Sequence, residues 1–235
     1  MASKPFKVVI AGGSIAGLSL ALMLEKYGID FVVLEGYPDI APQVGASIGV
    51  LANGLRILDQ LGCCNKVVEM AEYPVEKVVF RDSSGHSFRS FEGFGTELLA
   101  RWVLCISYRV VVYTQLIQSA RHGYPIVFLD RCMLIQILYD QIQDKSKVLT
   151  SEKVVTVQNA PSHVTVTTKT GNSYTGDMLV GADGIHSTVR QQMCQNAQAT
   201  DPTWIGGSEE QCMCWILFFI LLELFLKVRW ELTCC

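Results

Sequence analysis

An α/β fold with a parallel sheet is what this sequence predicts, on three observations. Residues 7–11 form a short apolar run, residues 18–27 carry apolar side chains at helical spacing, and residues 29–34 form a second run rich in branched and aromatic residues. A glycine-rich turn joins the first run to the helix, and Glu35 closes the second run. Strand, turn, helix and strand make a βαβ unit of roughly the 30 residues a parallel crossover needs. The expected domain is therefore of the Rossmann type.

Each element has its own signal. Leu18, Ala21, Leu22 and Met23 share a helical face, and Gly28 ends that helix. Gly45-Ala46-Ser47-Ile48-Gly49 reads as a flexible loop, and residues 52–61 as a helix stopped by Gly62. A strand over 75–81 turns through Asp82-Ser83-Ser84-Gly85 into a partner strand. Leu134, Ile137, Leu138 and Ile142 place a helix over 132–143. Residues 153–158 and 164–168 are β-branched or alternating, and Thr170-Gly171-Asn172 turns the second toward 173–175. Residues 178–180 form a strand entering Gly181-Ala182-Asp183-Gly184, after which Ser187 is a natural N-cap for a short helix.

Composition removes several function classes. A chain of 235 residues is long enough to bury a substantial core. Its net charge of −3, with 17% charged residues, gives no basic surface for phosphate backbones, so no nucleic-acid partner is expected. The nine cysteines and four histidines lack zinc-finger spacing, so no metal site is expected, and the thiols read as reduced. The N-terminus runs straight into a strand without an apolar leader core, and the expected location is cytoplasmic.

The chemistry concentrates in Gly12-Gly13-Ser14-Ile15-Ala16-Gly17, which stands between strand and helix as a dinucleotide fingerprint does, with serine at the second glycine position. Gly12 suits the tight turn, Gly17 suits close packing of helix on strand, and the opening amides of the helix face a pyrophosphate. Ser14 is small enough to leave that approach open. Glu35 lies about 20 residues on, at a strand end, where a carboxylate accepts from a ribose diol. That acidic residue favours FAD or NAD over NADP. Gly12-x-Ser14-x-Ala16 also approximates the nucleophile elbow of α/β-hydrolases, but too few residues precede it to supply the sheet such an elbow needs.

Downstream, Gly181-Ala182-Asp183-Gly184-Ile185-His186-Ser187-Thr188-Val189-Arg190 resembles the Asp-Gly motif of the group A, or aromatic-hydroxylase, flavin monooxygenases. An NAD-dependent dehydrogenase would share the fingerprint but has no role for this segment. Residues 6–18, Ala41-Pro42-Gln43-x-Gly45-Ala46-Ser47-Ile48-Gly49 and Phe128-Leu129-Asp130-Arg131 are similar to fungal FAD monooxygenases of indole-diterpene and meroterpenoid pathways. The resemblance implies a Rossmann-type FAD-binding domain with an incomplete β-rich substrate domain. It implies FAD as cofactor, NAD(P)H as transient reductant, and epoxidation or hydroxylation of a prenylated small molecule. By the same resemblance Glu35 holds the adenosine ribose, Gly49 gives a backbone contact, Arg131 meets FAD phosphate or ribose, and Asp183 with Gly184 lies near the pyrophosphate. No catalytic acid, base or nucleophile is nominated.

The likeness covers residues 6 to about 94 and 122 to about 193. Residues 95–121 read as non-family sequence inserted into an FAD-binding domain spanning 1–205, through a retained intron or a gene-model error. Residues 206–235 form an apolar tail outside the family pattern. Gly176-Asp177 is not the family's second Gly-Asp motif, because it lies just upstream of the Asp-Gly turn. The chain is therefore expected to be truncated and poorly coupled as an oxygenase, with a non-catalytic, nucleotide-binding remnant as the competing reading. Residues 212–228 are almost wholly apolar but carry Glu223, which costs about 2.5 to 3.5 kcal/mol on insertion. Membrane contact and a merely sticky tail both remain open there.

Overall fold

The computed structural model describes residues 5–44, 47–71, 77–92 and 124–201. The segments 95–121, 206–235 and 212–228, and Gly45 and Ala46, lie outside them. Among the described residues no helix is long and apolar enough to cross a membrane.

A four-stranded parallel sheet organises the molecule. Its strands are β1 (Lys7–Ala11), β2 (Asp30–Leu34), β7 (Val148–Leu149) and β11 (Met178–Gly181), in the order β11-β1-β2-β7. Helix α1 (Ile15–Lys26) makes the β1-to-β2 crossover, and the strands pair in register from Lys7 with Asp30 to Ala11 with Leu34. The apolar runs are continuous because both faces of the sheet are covered. Val8, Ile10, Phe31 and Val33 face α1 and helix α4 (Arg131–Gln141), in a core that also holds Leu18, Leu134 and Leu138. Val9, Ala11, Val32 and Leu34 face the other way, onto Val154, Val157, Val164 and Val166.

Those last four valines belong to a three-stranded antiparallel sheet of β8 (Val154–Ala160), β9 (His163–Thr168) and β10 (Ser173–Gly176). Helix α5 (Thr188–Thr200) follows β11 and buries Val189 in the same core. Helices α2 (Ala52–Gln60) and α3 (Cys64–Met70) extend the α1 side. Two antiparallel ribbons complete the described residues: β4 (Lys77–Arg81) with β5 (Ser87–Glu92), and β3 (Ser47–Val50) with β6 (Val127–Asp130). The turn joining β4 to β5 is held by Asp82, whose Oδ1 accepts from Ser84 N at 3.0 Å and His86 N at 2.9 Å.

The expected element types recur at the expected places, with ends shifted by a few residues. One reading is corrected. The stretch 45–49 was expected to be a flexible loop, yet Ser47, Ile48 and Gly49 pair with Asp130, Leu129 and Phe128. Glycine and serine are poor strand formers alone, and the ladder forms because β6 supplies partners for their backbone groups from about 80 residues away.

Candidate functional site

Four structures meet at the C-terminal ends of β1, β2 and β11. The first is the turn entering α1. Gly12 has φ +106°, and its N–H donates to Leu34 O at 2.8 Å. A Cβ there would overlap the Ala182 carbonyl, so the turn and the 181–184 segment touch only because residue 12 is glycine. A Cβ on Gly17 would overlap the Gly12 carbonyl, which is what lets α1 start hard against β1. Ser14 occupies the N-cap position but makes no side-chain cap, and the first turn of α1 holds no acidic residue. The helix start is left as a positive end for an anion.

The second structure is Glu35, 9% exposed at the tip of β2. Its Oε2 accepts from Gly13 N at 2.6 Å and its Oε1 from Tyr37 N at 2.9 Å. Both donors are backbone amides, and the carboxylate clamps the glycine turn to the strand end. Each oxygen has further lone-pair capacity for a hydroxyl donor. A Cβ on Gly13 would come within 3.1 Å of Glu35 Oε2 and 2.9 Å of Ile40 Cδ1, so this second glycine is what allows the clamp to close. Gly13 was not singled out in the sequence; the Gly-Gly pair before the N-cap was the signal available.

The third structure comes from the β3–β6 ribbon. Asp130 ends β6 and Arg131 opens α4, so the guanidinium is carried on a strand-to-helix junction. Its Nη2 donates to Ser14 Oγ at 2.6 Å and its Nη1 to Val44 O at 3.4 Å. The Ser14 hydroxyl, which makes no cap to α1, thus accepts from Arg131. Gly49 lies further along the ribbon, opposite Phe128, where a Cβ would come within 3.0 Å of the ring.

Asp183 approaches from β11. Its Oδ2 accepts from Thr188 N at 2.8 Å and Val189 N at 3.4 Å, and Ser187 Oγ accepts from Arg190 N at 3.0 Å. The two side chains together cap α5. Asp183 Oδ1 is buried and has no hydrogen-bond partner among the described residues. Gly184 follows at φ +86°, letting the chain turn sharply toward the Ser187 cap.

Gly17 thus meets Gly12 and Arg131 meets Ser14 directly, Glu35 joins their turn through Gly13, and Asp183 and Gly184 reach it through the Gly12–Ala182 approach. Gly49 is linked only through the ribbon. A groove of about 530 Å³ lined by Phe6, Asp177, Met178, Met193 and neighbours lies at the opposite end of the parallel strands, and none of these residues lines it. An uncapped helix start, a guanidinium beside it, an acceptor at the strand tip and an orphaned buried oxygen suit a ligand with a diphosphate and sugar hydroxyls.

Fold and site together define a dinucleotide-binding α/β domain. The family model described as an FAD binding domain matches residues 5–208, and the chain belongs to that family, whose cofactor is FAD. The FAD-dependent monooxygenase atmM of Aspergillus flavus is 41% identical over 208 residues, covering 88% of this chain and 39% of that protein. The FAD-dependent monooxygenase olcE of Penicillium canescens is 41% identical over 213 residues, covering 91% and 41%. The chain spans about two fifths of the length of these relatives. Among solved structures, Klebsiella pneumoniae HpxO complexed with FAD and uric acid superimposes with a TM-score of 0.58 at 26% identity, over 80% of this chain and 41% of that one.

Proposed function

We propose that this chain provides the FAD-binding part of an NAD(P)H-dependent monooxygenase acting on a small, prenylated, terpenoid-type substrate by hydroxylation or epoxidation. One observation carries the reading. Gly12 admits the Ala182 carbonyl, so the fingerprint turn and the Asp183–Gly184 turn form one wall, a pairing that an NAD-dependent dehydrogenase has no use for. The names of the relatives support the oxygenase class. The substrate class rests on the resemblance of residues 6–18, 41–49 and 128–131 to enzymes of terpenoid pathways.

In this reading the opening amides of α1 and the Arg131 guanidinium neutralise the FAD diphosphate. Glu35 accepts from the adenosine ribose hydroxyls while holding Gly13, and its charge repels a phosphorylated ribose. Gly49 gives its backbone to the cofactor. Asp183, fixed by the α5 amides, offers its free Oδ1 to a hydroxyl or a bridging water. Bound FAD would supply the redox chemistry, taking a hydride from NAD(P)H and activating dioxygen.

Purification of the chain followed by flavin absorbance tests the reading. A yellow protein whose flavin is bleached anaerobically by NADPH or NADH supports it. A folded, colourless protein with no affinity for added FAD defeats it.

A further inference from the structure

Glu152 is a buried carboxylate, 8% exposed, on the short link between β7 and β8 and outside the site described above. Its Oε2 accepts from Thr168 Oγ1 at 2.5 Å and Thr170 Oγ1 at 2.7 Å, and its Oε1 accepts from Asn172 Nδ2 at 2.6 Å. All three donors lie at the end of β9 and on the β9–β10 turn. Thr168 is itself 2% exposed.

The backbone of the same link runs along the tip of β2. Glu35 N donates to Leu149 O at 2.8 Å, Glu152 N to Glu35 O at 2.7 Å, and Ser151 N to Tyr37 O at 2.8 Å. Ser151 has φ +61°, and among the described residues it alone takes a positive φ without being glycine. A strained residue of this kind persists only where its surroundings over-determine it. Here residue 152 is anchored by three side-chain donors on one side and by the Glu35 carbonyl on the other.

We propose that Glu152 is a positioning residue for the cofactor site, acting through Ser151 and the backbone of residues 35–37 to aim the Glu35 carboxylate at Gly13 and at the ribose. The inference rests on the FAD-binding reading. If residue 152 loses its anchor, Ser151 relaxes toward an ordinary φ. The amides at 151 and 152 then swing off Tyr37 and Glu35, and the strand tip that carries the clamp loosens. The β8–β10 sheet thereby bears on nucleotide affinity from outside the site described above.

The test is FAD affinity measured by flavin fluorescence on the whole chain, alongside urea unfolding. E152A is expected to weaken FAD binding by about tenfold. E152Q should stay within about threefold of wild type, because its carbonyl can still take the Asn172 donor while its amide donates to the threonine hydroxyls, which swivel to accept. Val166→Ala, on β9 in the core between the two sheets, is the control: it lowers stability but leaves all three donors to Glu152 in place, and should leave affinity unchanged. Should E152A fail to fold, Asn172→Ala removes one exposed-turn donor and is expected to weaken binding about threefold. Unchanged affinity in E152A or Asn172→Ala, or a loss in Val166→Ala that matches theirs at equal destabilisation, overturns the proposal. Absence of FAD binding by the wild-type chain instead overturns the reading beneath it, and the proposal with it.

Discussion

Replacing Glu35 by glutamine tests the clamp, because glutamine keeps one carbonyl acceptor and nearly the same shape. In the structure the two carboxylate oxygens take two different backbone donors, Gly13 N at 2.6 Å and Tyr37 N at 2.9 Å. Glutamine can satisfy only one of them, and its amide then faces the other N–H donor to donor. A hydrogen bond to a charged group contributes about 1.5 to 3 kcal/mol, and a buried donor left unpaired costs a similar amount. The loss is therefore about 2 to 3 kcal/mol, concentrated on the turn 12–14.

Where that loss appears decides the argument. If the turn is organised in the free protein by Glu35, E35Q requires FAD to organise it on binding, and about 2 kcal/mol moves into the dissociation constant, roughly thirtyfold. Flavin fluorescence titration reads the affinity, and urea unfolding of the free chain reads the stability. A well-folded E35Q protein that binds FAD within threefold of wild type would refute the clamp.

Four further outcomes follow from the same geometry. Gly17→Ala gains up to about 1 kcal/mol of helix propensity but must displace the Gly12 carbonyl, at about 3 kcal/mol, so the urea midpoint should fall; an unchanged or raised midpoint contradicts the packing. R131K has no second arm to span Ser14 Oγ and Val44 O, and should bind FAD about tenfold more weakly at equal stability; equal affinity would remove Arg131 from the site. Burial pushes the Cys63 thiol up, and burial, then the charges of Asp59 and Cys63, push Cys64 up to about 11. Both should alkylate far more slowly in the native chain than in urea at pH 8, by peptide mass spectrometry. Glu152 is held below its usual 4.5, first by the Thr168 hydroxyl. Its contribution is thus complete above that value and is lost as pH falls through the lower folded-state value. Facing it are Tyr174 and the uncharged donors Thr168, Thr170 and Asn172, so E152Q should flatten the acid limb of the stability profile, and parallel limbs would exclude the effect.

What the sequence disclosed was whatever is encoded locally. Lys7–Ala11 and Asp30–Leu34 are continuous apolar runs bounded by the glycine turn and the α1 pattern, and Gly12 and Gly17 are readable because each stands at a fixed place in that turn. Ser187 as a cap and the Asp82–Gly85 turn are local in the same sense. The α4 face was legible because Leu134, Ile137, Leu138 and Ile142 all meet one core. Illegible were features whose cause is a distant partner. Strand β3 needs β6; β7 is two residues long and exists because β2 offers an edge. Helix α3, at seven residues, is too short to show a period. The role of Glu35 as acceptor for Gly13 is a matter of side-chain direction that spacing does not encode.

The distant partners also set how the site responds to its ligand. Arg131 meets Ser14 across 117 residues of chain, yet separation alone costs little, because each doubling of a loop adds only about 0.6 kcal/mol. The larger demand is rigidity: the guanidinium must be presented by the β3–β6 ribbon, which packs on α2, α3 and α4, and Asp183 by the β11–α5 junction, whose strand pairs with β1. A ligand that touches the turn, Arg131 and the Asp183 oxygen at once then bridges elements that otherwise meet through few side chains. Its binding energy is added to the stability of the fold itself, by about 2.7 kcal/mol at a hundred times the dissociation constant. FAD should therefore raise the unfolding midpoint of this chain in a concentration-dependent way, and a variant that uncouples the ribbon, such as R131K, should lose part of that rise even where its midpoint without FAD is unchanged.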